Sequence, residues 1–243
     1  MVILTLPAYN EEKALPALLA AFAQTMESAG CDYRVVVVDD GSNDDTCEVI
    51  RAASLTIPIQ SIRHQVNRGL GETMRDALRA AVQTSAGGDI VVTMDSDNTH
   101  DPDTIPVLLH LLRAGNQVAI ASRYRKGSRV VGLSMPRRLM SYAARLLFQV
   151  VCPIRGVRDY TCGFRAYEAR ALQRAFAVYG DSFVTERSFA CMAEILFKLA
   201  RTGATIAEAP MVLRYDRKMG SSKMSMFQTV LGTLQLVARL RAS

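Results

Sequence analysis

The sequence contains no tryptophan, no Cys-x-x-Cys pair and no apolar run of membrane-spanning length. Its five cysteines are odd in number and lie at least ten residues apart, which predicts reduced thiols and neither a disulfide framework nor a zinc site. The longest uncharged run near the C-terminus, residues 224–238, has 15 residues, whereas a membrane-spanning helix needs roughly 20. Without tryptophan or a recognisable binding motif, nucleic acid is the least favoured partner.

Acidic side chains are missing from one long part of the chain. Residues 104–158 contain ten basic residues and no acidic one, whereas residues 1–103 contain 16 acidic and seven basic residues. The overall net charge of +6 hides this asymmetry. A solvated surface often explains a basic patch, but a stretch of this length favours an anionic partner, either a phosphate group or a membrane surface.

The N-terminal residues lack the basic segment of a signal peptide, so none is expected and residues 2–6 are predicted to form a first strand. The length of 243 residues predicts one main domain. We expect Asn10 to cap the first helix and Asp101, followed by Pro102, to cap the fourth. Further strands are predicted near 33–38, 58–63, from 91 and 117–121, and helices up to 28, from 43, and over 71–84, 102–113 and 136–151. This alternation predicts an α/β fold with a mostly parallel sheet and helices on both faces.

Two carboxylates one residue apart, Asp95 and Asp97, follow the apolar strand that begins at Val91. Open α/β sheets bind ligands at this end of their strands. Neighbouring carboxylates repel each other unless a cation lies beside them, and Mg2+ prefers one or two carboxylates together with substrate phosphates. Turn-capping aspartates are the alternative. The position at the strand end favours a site for a divalent metal and a diphosphate.

Two further features, the Gly69 and Gly71 pair and His100, raise the possibility of other sites, but the support for each is weak. Gly69 and Gly71 suggest a dinucleotide-binding fingerprint, but position 74 is not glycine and the pair follows the third strand rather than the first. A dinucleotide site is therefore disfavoured. His100 is either a metal ligand or a hydrogen-bonded core residue, and the core role is the default for a lone histidine.

Two helical patterns near the basic part of the chain are amphipathic. In the helix predicted over 136–151, Arg137, Ser141 and Arg145 recur at every fourth position, so they share one face. A second apolar stripe lies within residues 226–240. An ordinary surface helix explains either pattern alone. Together they favour helices that lie on a membrane and do not cross it.

Several motifs, taken together and in this order, resemble family-2 glycosyltransferases of the GT-A fold. They are Pro7-Ala8-Tyr9-Asn10-Glu11, Val38-Asp39-Asp40-Gly41-Ser42, Asn67-Arg68-Gly69-Leu70-Gly71, Met94-Asp95-Ser96-Asp97 and Ser122-Arg123-Tyr124. The C-terminal half is similar to the dolichyl-phosphate (polyprenyl-phosphate) mannose synthase branch. The motifs there are Asp159-Tyr160-Thr161-Cys162-Gly163-Phe164, Met192-Ala193-Glu194-Ile195-Leu196 and Arg217-Lys218-Met219-Gly220-Ser221-Ser222-Lys223. The resemblance covers nearly the whole chain.

The resemblance implies a nucleotide-diphosphate sugar donor, a polyprenyl phosphate acceptor and a Mg2+ or Mn2+ ion held by Asp95 and Asp97. The donor-binding residues that it implies are Pro7, Tyr9, Glu11, Asp39, Asp40, Gly69, Gly71, Asp95, Ser96 and Asp97. The residues implied for the acceptor phosphate are Arg123, Arg137, Ser141, Arg217 and Lys223, and those implied for catalysis are Asp97, Arg123 and Arg217. The family often places a metal-binding glutamine where this chain has Thr99, so the third protein ligand stays open.

The charges agree with this chemistry independently of the family. In direct displacement at a sugar carbon, the departing nucleoside diphosphate needs a Lewis acid. A phosphomonoester acceptor needs no general base, because its second pKa near 6 leaves it largely dianionic at neutral pH. It needs cations to hold it, and the guanidinium groups of the acid-free segment supply them. We therefore expect a metal-dependent, inverting transfer of a hexose to a polyprenyl phosphate.

Other functions stay open at this point. A hydroxyl acceptor would need a base, for which Glu186 is the candidate, although Glu186 could equally cap a helix. A nucleotide-sugar-binding module without catalysis is a further alternative. A processive polysaccharide synthase is disfavoured, because the chain has no membrane span and no Gln-x-x-Arg-Trp motif. Mannose is only the family default, since the sequence does not identify the donor base or sugar.

We expect a GT-A domain over residues 1–215, which includes an amphipathic interface helix near 136–151. Residues 216–243 are expected to form an acceptor loop and a C-terminal amphipathic helix. The basic surface and the two amphipathic helices predict a peripheral protein on the cytoplasmic face of an anionic membrane.

Overall fold

The computed structural model describes residues 1–219 and 232–239. The strands are β1 (Val2–Ala8), β2 (Tyr33–Asp39), β3 (Ile59–Arg63), β4 (Ile90–Thr93), β5 (Val118–Ser122), β6 (Arg129–Val131), β7 (Arg165–Glu168), β8 (Ile206–Pro210) and β9 (Val212–Arg214). The helices are α1 (Leu15–Ser28), α2 (Thr46–Ala53), α3 (Leu70–Thr84), α4 (Ile105–Arg113), α5 (Met135–Val151), α6 (Ala169–Tyr179) and α7 (Cys191–Arg201). Short 3-10 helices span Pro102–Thr104, Gly180–Phe183 and Tyr215–Arg217. Residues 232–239 are also helical and are called the C-terminal helix below.

Seven strands form one sheet in the order β3-β2-β1-β4-β7-β5-β8, and β6 pairs with β9 in a small second sheet. In the described part of the chain, β7 alone runs antiparallel to its neighbours. Side chains alternate between the two faces of a strand, yet Ile3 and Leu4 are both fully buried. Both faces of the central strands are therefore covered, which explains their nearly continuous apolar runs. The predicted α/β fold with a mostly parallel sheet is confirmed.

The helix caps follow the sequence prediction at one position and depart from it at another. Asp101 accepts a hydrogen bond from the backbone nitrogen of Asp103 and caps the turn that leads into α4, as predicted. The prediction that Asn10 caps α1 is wrong, because α1 begins at Leu15. Asn10 adopts a left-handed backbone conformation (φ 54°), and its side-chain oxygen accepts a hydrogen bond from the backbone nitrogen of Asn43. It therefore joins the loops after β1 and β2.

The carboxyl ends of β1, β2 and β4 lie side by side at one edge of the large sheet, because these three strands are parallel neighbours. Hydrogen bonds join the segments that meet at this edge. The backbone nitrogen of Glu11 donates to the Thr46 hydroxyl (2.8 Å), and the Ser96 hydroxyl donates to the carbonyl of Pro7 (2.7 Å). This edge brings the loop with Asp95 and Asp97 next to the first two loops.

The outer surface of α5 carries a row of exposed apolar side chains. Its members recur every three or four residues and so share one face of the helix; they are Met135, Leu139, Tyr142, Leu146 and Val150, and we call them the outer stripe. On the opposite side, Phe148 is fully buried. Among the described residues, no helix is both long enough and apolar enough to cross a membrane. The helix predicted over 136–151 is present, and its contact with a membrane stays a prediction.

The C-terminal helix covers only part of the second predicted amphipathic stripe. Leu236 and Val237 are buried, whereas 53% of Leu234 is exposed. The remaining residues of that predicted stripe, Met226, Phe227, Val230, Leu231 and Leu240, lie outside the described residues.

Candidate active site

Asp40 organises the loop that carries the two predicted donor-site glycines. One carboxylate oxygen lies 2.7 Å from Nδ1 of His64 and accepts a hydrogen bond from the backbone nitrogen of Arg68 (2.9 Å). The other accepts one from the backbone nitrogen of Gly69 (2.9 Å). Asp40 is 4% exposed, so its carboxylate is used for holding this loop in place. A direct contact with a donor is therefore less suited to Asp40 than to its neighbour.

That neighbour, Asp39, is less completely satisfied. Its Oδ1 accepts a hydrogen bond from the backbone nitrogen of Ser42 (3.0 Å), and its Oδ2 lies 3.4 Å from Nε of Arg63. This second oxygen is buried and makes no hydrogen bond within the described residues. Tyr9 and Glu11, in the loop after β1, are half-buried at the same edge of the sheet. At this edge, Asp39 can accept a hydrogen bond from a hydroxyl group or the base of a nucleotide sugar.

The two glycines have a packing role in this structure. Gly69 has a φ of 92°, which favours glycine, and a side chain on Gly71 would come within 1.8 Å of the carbonyl oxygen of Glu186. The backbone nitrogen of Gly71 also donates to the carbonyl of Arg187 (3.1 Å). Close approach of α3 to the segment at 186–187 is enough to require a glycine at position 71.

Asp97 has partners on both carboxylate oxygens. Its Oδ1 accepts hydrogen bonds from the backbone nitrogen (3.1 Å) and the hydroxyl (2.7 Å) of Thr99, and its Oδ2 lies 2.5 Å from Nζ of Lys218. Desolvation opposes ionisation of Asp97, but the Lys218 ammonium and the Thr99 hydrogen bond outweigh it, so the pKa of Asp97 is lowered. Asp97 is therefore a carboxylate with a cation already beside it.

Asp95 lies in a different environment two residues earlier. Its backbone nitrogen donates to Nδ1 of His100 (3.2 Å), and its Oδ2 lies 3.7 Å from Nε2 of the same ring. Desolvation raises the pKa of Asp95; His100 opposes this rise and the charge of Asp97 adds to it. His100 is buried and stacks on Phe164 at 5.2 Å, which supports the default role of a hydrogen-bonded core residue.

The acidic pair fits a divalent ion that takes further ligands from a substrate. No group of three or more histidine, cysteine or acidic side chains within the described residues is arranged to hold a metal. Asp95 and Asp97 alone are the oxygen donors that Mg2+ and Mn2+ use together with substrate phosphates. The Thr99 hydroxyl is occupied in orienting Asp97. The donor set thus fits a metal-diphosphate group better than an all-protein metal cage.

A cavity of about 410 Å³ lies between Asp95 and the basic part of the chain. Asp95, Arg123, Arg137 and Ser141 all line it, so the structure brings together three of the five residues predicted to bind an acceptor phosphate. Its other walls are mostly apolar and include Leu133, Met140, Ala143, Ala144, Leu147, Phe189, Leu213 and Leu234. Arg137 has no hydrogen-bond or ion-pair partner within the described residues. An anionic head group and an apolar chain can therefore share this cavity.

The remaining two residues predicted for the acceptor phosphate are placed differently. Nη1 of Arg217 lies 3.6 Å from Oδ2 of Asp101, and Arg217 is not among the residues that line the cavity. Lys223 lies outside the described residues. The structure does not bring Arg217 to Arg123 and Arg137.

Three residues that the sequence analysis did not single out support the cavity wall. Asp159 is fully buried and binds the Arg123 guanidinium, which also donates to the Thr161 hydroxyl (2.7 Å). The Tyr124 hydroxyl lies 2.6 Å from the hydroxyl of Ser141. Tyr124 directly follows Arg123 in its motif, and Asp159 and Thr161 belong to the motif that begins at 159, so motif membership was the available signal.

Glu186 is not placed as a catalytic base. Its Oε1 accepts hydrogen bonds from the backbone nitrogen (3.2 Å) and hydroxyl (2.8 Å) of Ser188, and its Oε2 lies 2.5 Å from Nη2 of Arg239 in the C-terminal helix. It is 8% exposed and is absent from the cavity lining. The alternative that Glu186 caps a helix is wrong, since α7 begins at Cys191 with Ala190 as its N-cap. Its carboxylate instead anchors the C-terminal helix.

Comparison with known proteins identifies the family. A sequence model described as "Glycosyl transferase family 2" matches residues 4–176. The chain belongs to glycosyl transferase family 2. Among curated relatives of this family-2 protein, a dolichol-phosphate mannosyltransferase of Pyrococcus furiosus is 32% identical over 173 residues, which are 71% of this chain and 47% of the relative. An undecaprenyl-phosphate mannosyltransferase of Micrococcus luteus is 30% identical over 225 residues, 92% of this chain and 87% of the relative.

The alignment with the Pyrococcus relative thus spans about half of that protein's length. A polyprenol monophosphomannose synthase of Mycolicibacterium smegmatis is 27% identical over 92% of this chain and 80% of the relative. The family predicted from the motifs is confirmed by these matches.

Solved structures confirm the fold of this family-2 glycosyltransferase. A crystal structure of glucosyl-3-phosphoglycerate synthase from Mycobacterium tuberculosis, in complex with Mn2+, UDP and glucosyl-3-phosphoglycerate, matches all of this chain and 79% of that chain with a TM-score of 0.67. The same enzyme in complex with Mg2+ and UDP matches with a TM-score of 0.68. Sequence identity is 21% in both cases, so the likeness establishes the fold alone.

Proposed function

We propose that this chain transfers a hexose from a nucleotide-diphosphate sugar to a polyprenyl phosphate, with inversion at the sugar carbon and with a divalent metal. The observation that carries the proposal is that one cavity is lined by Asp95, by the basic residues Arg123 and Arg137, and by apolar side chains. The acidic residue suits a metal bound to the donor diphosphate, and the basic and apolar residues suit a lipid that carries a phosphate. The curated relatives named as mannosyltransferases of dolichol or undecaprenyl phosphate support the same acceptor class and favour mannose.

The metal would be held by Asp95 and Asp97 and, when bound, would stabilise the negative charge of the departing nucleoside diphosphate. The protein residues have separate tasks. Thr99 orients Asp97 through two hydrogen bonds, and the loops after β1 and β2 bring Asp39 to the donor side of the same edge. These contacts fix the orientation of Asp97 and Asp39, the carboxylates that would bind the metal and the donor.

The acceptor side supplies cations and no base. A phosphate oxygen of the acceptor forms the new bond to the anomeric carbon, while the bond from that carbon to the donor diphosphate breaks and its electron pair leaves with the nucleoside diphosphate. The acceptor is largely dianionic at neutral pH, so no proton has to be removed. Within the described residues the Arg137 guanidinium has no partner and is open to bidentate contact, and Asp159 holds the Arg123 guanidinium in one orientation.

The alternative with a hydroxyl acceptor is less well supported. It requires a general base within hydrogen-bond reach of the acceptor. Both carboxylate oxygens of Glu186 are occupied by Ser188 and Arg239, and Glu186 is absent from the cavity lining. The third alternative, a binding module without catalysis, is excluded as soon as turnover is measured.

We also propose that the outer stripe of α5 rests on an anionic membrane, with the cavity opening toward the lipid. The stripe exposes five large apolar side chains, and Arg138 lies exposed beside it. Apolar insertion combined with attraction of basic residues is typical of peripheral proteins. The cytoplasmic side and the division of the chain at residue 215 into a catalytic domain and an acceptor-loop segment belong to the same proposal.

The test is a transfer assay with a short-chain polyprenyl phosphate, Mn2+ and a panel of nucleotide sugars that includes GDP-mannose. A thermal-shift screen of nucleoside diphosphates with Mn2+ selects the donor, because a ligand that binds only the folded state raises the unfolding temperature. We expect formation of a glycosyl phospholipid that stops when a chelator is added. Transfer to an alcohol but not to a phosphate would overturn the acceptor assignment, and undiminished transfer in chelator would overturn the metal assignment.

A further inference from the structure

Lys218 pairs with Asp97, one of the two carboxylates proposed to hold the metal. Its Nζ lies 2.5 Å from Oδ2 of Asp97, and the two side chains are only 18% and 13% exposed. The other oxygen of Asp97 is occupied by Thr99. The ammonium therefore occupies the remaining oxygen of this carboxylate and neutralises it.

The segment that carries Lys218 is attached to the acidic loop at three successive points. The backbone nitrogen of Arg214 donates to the carbonyl of Thr99 (2.9 Å), Arg217 pairs with Asp101 at 3.6 Å, and Lys218 pairs with Asp97. Only the first of these contacts is a hydrogen bond between backbone atoms. The other two depend on charge, so they respond to any new charge that enters the loop.

A divalent ion and an ammonium cannot both bind Oδ2 of Asp97 without strong repulsion at short range. The lysine side chain has four rotatable carbon bonds and three donors, so it can leave this position without a change in the strands around it. Two cations thus compete for one carboxylate oxygen. A metal bound at this oxygen would therefore displace Lys218.

We propose that Lys218 is an internal counter-ion, which stabilises Asp97 before the metal enters and is displaced from it when a divalent ion binds. This inference rests on the proposed function, because it takes Asp95 and Asp97 as the metal-binding residues. The displaced ammonium remains next to Arg217 in the chain and becomes available to phosphate oxygens near the cavity, which is lined in part by Tyr215. Arrival of the metal and a rise in positive charge near the substrates are thereby linked.

The test is a titration with Mn2+ alone, in which electron paramagnetic resonance measures the free ion. The proteins compared are the wild type, Lys218→Met, Lys218→Arg and Lys126→Met; Lys126 is exposed and distant from the acidic pair in sequence, so it is the matched control. Removal of the competing charge should lower the Mn2+ dissociation constant of Lys218→Met by about tenfold or more. Lys218→Arg and Lys126→Met should stay within about twofold of wild type, the first because it keeps the charge.

Thermal unfolding verifies that each variant is folded, and Lys218→Gln repeats the comparison with a second neutral side chain. If Asp97→Asn abolishes Mn2+ binding but Lys218→Met binds no more tightly than wild type, the counter-ion inference is wrong while the metal site stands. If neither wild type nor Lys218→Met binds Mn2+ alone, the counter-ion inference is wrong, and the chelator test of transfer decides the metal site separately. Tighter binding by Lys218→Met that Asp97→Asn removes supports both.

Discussion

Asp159 binds Arg123 with both carboxylate oxygens, although the two residues lie 36 positions apart in the chain. Oδ2 accepts from Nε (2.8 Å) and from the backbone nitrogen (2.9 Å) of Arg123, and Oδ1 accepts from Nη2 (2.5 Å). Burial opposes ionisation of Asp159, but Arg123 outweighs it and lowers the Asp159 pKa. The guanidinium is thus held rigidly at the wall of the cavity, and Asp159 acts as its positioning residue.

Substitution Asp159→Asn should affect both stability and transfer. It leaves the buried Arg123 charge without its partner, which costs about 3 to 5 kcal/mol of unfolding free energy. Urea unfolding measures this loss, and acceptor titrations should reveal a raised acceptor KM with nearly unchanged donor affinity. Asp181→Asn is the control, because Asp181 is an exposed partner of Arg79 and its removal should change neither quantity. Equal stabilities of Asp159→Asn and wild type would contradict the assigned role.

Arg137→Ala should weaken the acceptor and not the donor. Loss of a charge-assisted hydrogen bond to phosphate is worth about 1.5 to 3 kcal/mol, or roughly 10- to 150-fold in acceptor kcat/KM. Arg137→Lys should recover only part of this loss, since an ammonium cannot make the bidentate contact. The neighbouring Arg138 is exposed and does not line the cavity, so Arg138→Ala is the matched control with a short-chain acceptor.

Two outcomes of this comparison would count against the acceptor site. If Arg137→Ala has no effect on transfer, Arg137 does not contact the acceptor phosphate. A simultaneous complete loss of activity in Glu186→Gln would identify a hydroxyl acceptor activated by Glu186. The stability of Glu186→Gln must be measured alongside, because Glu186 pairs with Arg239.

Asp97→Asn should abolish metal-dependent transfer and leave the protein folded. The amide keeps the size of the side chain but loses the charge that attracts the metal, and we expect transfer to fall by at least about 100-fold. Rates measured against Mn2+ concentration, with circular dichroism as the control for folding, make the test. Activity equal to that of wild type in the presence of chelator would refute the role of Asp97.

The outer stripe should determine membrane association. Leu139→Ser together with Val150→Ser removes two of its most exposed apolar side chains and should reduce binding to anionic vesicles by about tenfold or more. Leu55 is 85% exposed between α2 and β3, away from α5, so Leu55→Ser is the matched control. Flotation at low and high salt gives the measurement, and unchanged binding of the double variant would show that another surface contacts the lipid.

Glu194 should make the stability of the protein sensitive to acid. Burial opposes its ionisation, but hydrogen bonds from Lys198, Thr185 and the backbone of Glu186 outweigh it and lower the Glu194 pKa. The unfolded state therefore takes up this proton at a higher pH than the folded state does. The stabilising contribution is complete above the unfolded value near 4.5 and is lost as the pH falls through the lower folded value.

Glu194→Gln removes that pH dependence. Its unfolding free energy should be lower than that of wild type near pH 7 and should decrease less between about pH 5 and pH 3. Chemical unfolding across this range tests the point. Parallel decreases for the two proteins would contradict it.

Local patterns in the sequence were sufficient for the fold class and for part of the site. Continuous valine runs predict buried parallel strands, and a carboxylate pair at the end of such a strand predicts a cation site whatever the rest of the chain does. Arg137 and Ser141 are four residues apart, so they lie on one face of the helix. In the structure both line the cavity together with Arg123. These properties depend on neighbours within a few residues, so the sequence by itself determined them.

Only the tertiary structure decided which distant groups meet. Lys218 reaches Asp97 across 121 positions and Arg239 reaches Glu186 across 53, and no local periodicity encodes either contact. The same holds for β7, which enters the sheet antiparallel between β4 and β5. Burial strengthens these charge contacts, because the same side chains would be screened from each other in an unfolded chain. Because of this packing, Glu186 holds the C-terminal helix through Arg239, and Asp97 pairs with Lys218.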